Sequence, residues 1–265
     1  DTAPDMTRWQ QLVRHDSQTY RQRLTIGLVA KYVDNADTYL SITEALKAAA
    51  WAHRSEVTIQ WINAETVTDA ALSAVDAVVV PGGFGKRGVE GKIAAASYCL
   101  QHNVPYLGIC LGMQVAVIAA ARRGGLAQAG SAECGAAPDD AVIYLMPGQQ
   151  GKQSTGGTMR LGNYPAVLQA SSRTAKTYGT TEVVERHRHR YEVNQAHLAA
   201  INAGGIVVSG TSPDGRLVEA PTCDYFVATQ AHPEFTSRPF RAHPLFAGLV
   251  QAALKRQKRM QKGKA

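Results

Sequence analysis

The chain has 265 residues, 45% of them hydrophobic, which is enough for one large or two small domains around a real core. No apolar run approaches the roughly 18 to 20 residues that span a bilayer, and the polar start "DTAPDMTRWQQLVRHDSQTYRQR" holds no apolar signal segment; neither a membrane partner nor secretion is expected, and a cytoplasmic location is. The net charge of +7 invites a nucleic-acid reading only until it is located, because the last eleven residues, "KRQKRMQKGKA", carry six Lys or Arg and no acid and leave the body nearly neutral, so no nucleic-acid partner is expected.

In chain order, "RLTIGLVAKY" predicts a strand. "NADTYLSITEALKAAAWAHR" predicts a helix with Ile42, Ala45, Leu46, Ala49 and Ala50 on one face and Asn35 or Asp37 as cap. "EVTIQWINA" alternates as a strand, and "VDAVVV" is a continuous apolar run ending in "PGGFG". Val89, Ile93, Ala96 and Leu100 mark a second helix face, followed by the strand "VPYLGI" and a helix beginning after Cys110. Strands alternating with helices predict a parallel sheet covered on both faces, with ligands at the carboxyl ends of its strands. Beyond about residue 125 the pattern turns antiparallel: "AVIYLM", "TMRLGNYPAVL", "TEVVERHRHRYEV", "GIVVSGTS", "RLVEA" and "YFVATQAH", with "SPDG" as a hairpin turn. "MPGQQGKQSTGG" reads as a surface loop. "HPLFAGLVQAALKRQKR" reads as a helix covering the sheet with Leu245, Phe246, Leu249 and Leu254. The basic residues 255–265 are expected to be a disordered tail.

Chemistry concentrates in "GICLG" and "QAHPEF". Cys110 lies where a strand turns into a helix, between glycines that permit a sharp bend, the arrangement that presents a nucleophile at an accessible turn. A thiol with a pKa of about 8.5 is only a few per cent ionised at pH 7, so such a cysteine needs a base. His232 is the candidate, and in an extended chain Glu234, two residues on, would share its face and support it. Pro233 places the motif at a strand end or edge. Each motif also has a plain reading: a turn with a solvated carboxylate for "HPE", close packing around a small hydrophobe for "GICLG", and a tight turn for "PGGFG". Cys99, Cys110, Cys134 and Cys223 form no CxxC pair, and neither a disulfide framework nor a metal site is expected. In "RHRHR" alternation predicts arginines on one face and histidines on the other, as a solvated face or a phosphate site.

"PGGFGKRGVEGKI", "VPYLGICLGMQ", "GGTMRLG", "VERHRHRYEVN" and "HPEFTSRPFRAHPLFAGL", in this order from about Leu24 to Val250, resemble the glutamine amidotransferase (class I, triad) domain of the CTP synthase family. The resemblance implies a flavodoxin-like α/β fold with a mostly parallel central sheet and an added antiparallel portion, residues 24–254 being the domain and 1–23 an interdomain linker. It implies hydrolysis of L-glutamine through a thioester on Cys110, with His232 as base and acid, Glu234 supporting it, and the N–H groups of Gly83 and Leu111 as oxyanion hole. Gln114, Glu133, Arg190 and Tyr191, with Gly83 and Leu111, would bind glutamine. Glu133 lies in a loop, "ARRGGLAQAGSAECG", shorter than the family pattern, and Ala231 replaces a bulkier residue. GTP is implied as an allosteric activator, with Phe84 stacking on its base and Arg87 meeting phosphate.

Glutamine hydrolysis itself needs no cofactor. The phosphate loop GxxxxGK[ST] does not occur, since "GQQGKQS" has Met146 for its first glycine and Gln153 after the lysine. The chain is therefore expected to be an excised domain without the synthase half that uses ATP and Mg to aminate UTP, in an enzyme expected to be a homotetramer. The alternatives are the glutaminase of another triad amidotransferase, such as GMP synthetase, and a GTP-binding regulatory or assembly module of negligible turnover.

Overall fold

A computed structural model describes residues 4–146, 159–213 and 215–262. Residues 147–157 of the segment read as a surface loop, and Asp214 of the hairpin turn, lie outside them. The first half runs α1 (Thr7–Ser17), β1 (Gln22–Ala30), α2 (Leu40–Ala52), β2 (Ser55–Asn63), α3 (Asp69–Ser73), β3 (Ala77–Val80), α4 (Val89–His102), β4 (Tyr106–Ile109) and α5 (Leu111–Arg123). There follow β5 (Gly130–Ser131), β6 (Ala141–Leu145), β7 (Arg160–Leu168), α6 (Arg173–Tyr178), β8 (Glu182–His189), β9 (Tyr191–Val193) and α7 (Leu198–Ala203). The chain closes with β10 (Val207–Ser212), β11 (Gly215–Glu219), β12 (Phe226–Thr229) and α8 (Pro244–Lys262).

One nine-stranded sheet has the order β2-β1-β3-β4-β12-β11-β10-β7-β8. Its first five strands are parallel, in the flavodoxin-like order, and from β12 onward neighbours are antiparallel. The antiparallel portion thus continues the same sheet. β5, β6 and β9 form a separate three-stranded sheet. Strand β3, wholly buried, shows why continuous apolar runs mark the centre. Val78 and Val80 pack toward α4 and α5, whereas Ala77 and Val79 pack toward α2 and α8.

The predicted apolar faces of α2 and α8 are buried, and in α4 only Leu100 is partly exposed. Three expectations need correction. Neither Asn35 nor Asp37 caps α2, because a 3₁₀ turn, Ala36–Tyr39, intervenes and puts Tyr39 at the cap position without a side-chain bond. The basic segment is helical as far as Lys262 and is no disordered tail over 255–262. Arg256 donates to the Val75 carbonyl (2.8 Å), Gln257 to that of Arg23 (2.9 Å), and Arg259 pairs with Asp224. These contacts anchor charges that would otherwise leave a frayed end. The stretch "TEVVERHRHRYEV" is two strands, since the chain bends at Arg190 and carries Tyr191–Val193 into the small sheet. In the expected linker, residues 7–17 form a helix with no buried residue, and Trp9 meets Phe240 edge-on at 5.3 Å.

Candidate active site

The carboxyl ends of β3, β4 and β12 meet at one place. From β4 the chain passes directly into α5 through Cys110, whose φ of +52° and ψ of −104° are strained for a residue with a Cβ. The strain is held by packing. The Cys110 N–H donates to the Thr229 carbonyl (2.8 Å), and its own carbonyl accepts from Met113 and Gln114 in the first turn of α5. The glycine after it makes the turn possible, since a Cβ on Gly112 would lie 2.0 Å from the Val80 carbonyl oxygen. Cys110 thus lies at the N-terminus of α5, the positive end of the helix dipole.

Cys110 is not at an open surface, as expected, but 3% exposed, at the wall of a cavity of about 360 Å³. Pro81, Gly82, Gly83, Phe84, Arg188, His232 and Glu234 share that wall. The close packing of β8 over the turn accounts for the burial; the Sγ atom lies 3.9 Å from the Arg188 carbonyl. Neither the Gly83 nor the Leu111 N–H finds an acceptor among the described residues. A larger cavity, about 750 Å³, lies between α6 and α8 and holds none of the predicted residues.

The His232 Nδ1 and Glu234 Oε1 atoms are 2.7 Å apart. The contact was expected from an extended backbone, but it is made in a 3₁₀ turn, Pro233–Phe235, because Pro233 ends the strand and folds Glu234 back. With Nδ1 bound to the carboxylate, Nε2 is the ring nitrogen left for Cys110, and it has no other partner among the described residues. Burial works against a charged His232, but the charge and hydrogen bond of Cys110 and the support of Glu234 outweigh it and raise its pKa to about 10. Phe235 stacks on the ring at 5.1 Å, and the His232 N–H donates to the Arg186 carbonyl (2.7 Å).

The remaining predicted residues separate. Phe84 lines the cavity and is 53% exposed. Arg87 stands over the Tyr32 ring at 4.9 Å and pairs with Glu65 at 3.6 Å. Leu111, Gln114, Glu133, Arg190 and Tyr191 are not in the cavity wall. Glu133 Oε1 accepts from the Gly85 N–H (2.8 Å), tying its loop to the "PGGFG" turn. Gln114 Nε2 donates to the Tyr191 carbonyl (3.3 Å) and to Gln230 Oε1 (3.1 Å). On β8 Arg186 and Arg188 are exposed and His187 and His189 buried, as alternation predicts.

Sequence reasoning missed three polar residues here. Gln230 is wholly buried, and its Nε2 donates to Cys110 Sγ (3.4 Å). Lys92, also fully buried, donates to the Pro81 carbonyl (3.3 Å), and desolvation lowers its pKa to about 7. Lys31 donates to the carbonyls of Phe84 and Gly85, gripping the other end of the turn. The only available signal was polar residues inside apolar patterns, "VAKYV" and "VEGKIAAA". Among the described residues no group of three or more His, Cys, Asp or Glu is placed to hold a metal ion.

A family model for glutamine amidotransferase class-I matches residues 35–252. The chain belongs to that family. It is 51% identical to the CTP synthase of Corynebacterium efficiens, over 94% of this chain and 47% of that one. It is 49% identical to the CTP synthase of Microcystis aeruginosa, over 95% of this chain and 47% of that one. Among solved structures, the glutaminase domain of Trypanosoma brucei CTPS with bound acivicin is similar, with 36% identity and a TM-score of 0.80, covering 88% of this chain and 94% of that one. This class-I glutamine amidotransferase domain is thus of the CTP synthase type, and it spans about half the length of the curated relatives it matches. Among the described residues no helix is long and apolar enough to cross a membrane.

Proposed function

We propose that this domain hydrolyses L-glutamine to glutamate and ammonia through Cys110, His232 and Glu234. His232 Nε2 takes the thiol proton, and the Sγ thiolate so formed attacks the side-chain carboxamide carbon. The tetrahedral oxyanion is met by the N–H groups of Gly83 and Leu111. His232 then protonates the leaving nitrogen, the C–N bond breaks, and ammonia departs from a γ-glutamyl thioester. Water, deprotonated by His232, attacks the thioester; the thiol is restored and glutamate leaves. One oxyanion donor contributes about 2.7 to 4 kcal/mol in comparable sites.

The observation that carries this reading is the strained Cys110 at a helix N-terminus, next to an imidazole whose other nitrogen is held at 2.7 Å by a buried carboxylate. The rest of the glutamine subsite is assigned to Gln114, Glu133 and the Arg190–Tyr191 backbone, an assignment supported by the likeness to CTP synthases. In the whole protein the ammonia serves ATP- and Mg-dependent amination of UTP to CTP by a synthase half, in a cytoplasmic tetramer activated by GTP at Phe84 and Arg87. The likeness to full-length CTP synthases supports that setting.

The test is intact-protein mass after exposure to a diazo-ketone analogue of glutamine. One adduct, blocked by excess glutamine and lost in Cys110→Ala, is the expected result. An adduct that persists in Cys110→Ala, in a folded sample, refutes the nucleophile assignment.

A further inference from the structure

The proposed mechanism leaves Gln230 without a task, although it is the residue whose side chain reaches the sulfur from β12. The pairing of β4 with β12 explains how it gets there. Thr229 lies opposite Ile109, so the residues that follow, Gln230 and Cys110, leave the sheet side by side. Gln230 is 0% exposed, and an amide so buried must satisfy both ends. Its Nε2 donates to Cys110 Sγ at 3.4 Å, and its Oε1 accepts from Gln114 Nε2 at 3.1 Å.

Which end of the amide faces the sulfur is decided by chemistry further along. Gln114 Nε2 also donates to the Tyr191 carbonyl, an atom that can only accept. Turning the Gln114 amide over would set its oxygen against that carbonyl. Turning Gln230 alone would set two NH2 groups face to face. The Tyr191 carbonyl, which also lies 3.0 Å from His189 Nδ1, therefore fixes both amides in sequence and leaves an N–H aimed at the sulfur.

We propose that Gln230 is a catalytic residue of this site, its amide N–H holding the Cys110 sulfur as thiolate in line for attack, and that Gln114 is a positioning residue acting through it. The inference rests on Cys110 being the nucleophile. A neutral thiol gains little from an N–H donor; a thiolate gains a charge-assisted bond. The donor complements His232, which approaches the same atom from the segment after β12. Gln114 has one amide hydrogen-bonding end, Oε1, left for substrate. That separates its part in the glutamine subsite from its part in orienting Gln230.

The test is the rate of Cys110 alkylation by iodoacetamide as a function of pH, read by peptide mass, in the wild type, Gln230→Met and Gln230→Glu. Iodoacetamide needs no glutamine subsite. The other charged or titratable groups facing Cys110 are His232 and Glu234 after β12, Lys92 on α4, Lys31 after β1, and Arg188 on β8, with Tyr32 and Tyr39 on the cavity wall; all stay in place. Gln230→Met keeps the length without a donor. Gln230→Glu still accepts from Gln114 but turns a carboxylate oxygen to the sulfur.

A hydrogen bond to a charged group corresponds to about a 10- to 150-fold effect. The expected result is a loss of that order in rate at pH 7 for Gln230→Met, a larger one for Gln230→Glu, and an upward shift of the alkylation midpoint in both. A merely structural role would not order the two variants by charge or move the midpoint. Rates and midpoints equal to wild type overturn the inference. If neither variant folds by circular dichroism, Gln114→Asn, which withdraws the orienting donor from outside β12, decides by the same readout. Wild-type Cys110 reacting no faster than the partly exposed Cys134 overturns instead the nucleophile assignment underneath.

Discussion

Gly82 sits between the two groups that must meet, and a single added carbon measures how much room they have. Its backbone is not left-handed, so alanine is not resisted by φ; the question is space alone. A Cβ there would lie 3.0 Å from His232 Cε1 and 3.4 Å from the Cys110 Cβ. Ordinary contact begins near 3.4 Å, so the imidazole must retreat by about 0.4 Å. His232 is poorly able to turn in place, being held by Glu234, by the Arg186 carbonyl and by the Phe235 ring. The retreat therefore opens the gap to the sulfur. Misplacement of a reacting group by 1 Å costs about 100-fold, and 0.4 Å scales to roughly sixfold. Gly83→Ala is the control, because its Cβ would meet Leu111 Cδ2 at 3.5 Å and Lys92 Nζ at 3.7 Å, both ordinary contacts, and it keeps the N–H. The assay is the rate of labelling by the glutamine-mimicking electrophile, alongside ammonia release. Gly82→Ala should be about three- to tenfold slower and Gly83→Ala within twofold of wild type. Equal rates for Gly82→Ala and wild type, or a larger loss for Gly83→Ala, would refute the geometric argument.

Burial, with Arg160 nearby, lowers the pKa of His187 to about 4, and burial, with His187 beside it, lowers that of His189 to about 3, both from an ordinary 6.5. Folded-state values below the unfolded one mean stability that is complete above pH 6.5 and is lost as pH falls toward those values, by up to about 1.4 kcal/mol per pH unit for each neutral histidine. Urea denaturation between pH 7 and 4 should show this acid limb, and His189→Gln should flatten it; an unchanged limb would remove the histidines as its cause. His232 has the opposite sign, its contribution being lost as pH rises through about 10. On the proposed placement of GTP, Phe84→Ala in the full-length enzyme should abolish stimulation by GTP while unstimulated glutamine hydrolysis persists, and intact stimulation would displace GTP from this turn.

Much of the fold was legible because its signals are local. The alternation of apolar strand and amphipathic helix through residue 123 depends on neighbours within a few positions, and it gave the parallel half and both strand-end motifs. The glycines around Cys110 were legible for the same reason. The bend at Arg190 was not, since nothing in "HRHRYEV" distinguishes one strand from two that serve different sheets. The Tyr191–Val193 segment is claimed by β6, some fifty residues earlier. The helical run to Lys262 was hidden by its charge. Its acceptors, the Val75 and Arg23 carbonyls and Asp224, are scattered over the chain. His232 and Glu234 were paired for a partly wrong reason, since a proline after a strand leads as readily to a tight turn as to an extended end. Lys92 and Gln230 drew no reading, because the turn and the sulfur they touch come from other parts of the chain.

What the sheet supplies to the site is register. All four residues of β12 are buried, Phe226 stacks on Tyr106 at 4.3 Å, and side chains from β12 contribute to both helical layers. A slip of one residue between β4 and β12 would turn Phe226 and Ala228 toward the layer of Val227, so core packing forbids it. The same constraint that buries Phe226 holds Gln230 beside Cys110 and starts the turn that carries His232 and Glu234. The antiparallel neighbour β11 then lets β12 occupy the middle of the sheet although it comes last in sequence. Residues about 120 positions apart are thereby brought to one sulfur by apolar contacts that take no part in the chemistry.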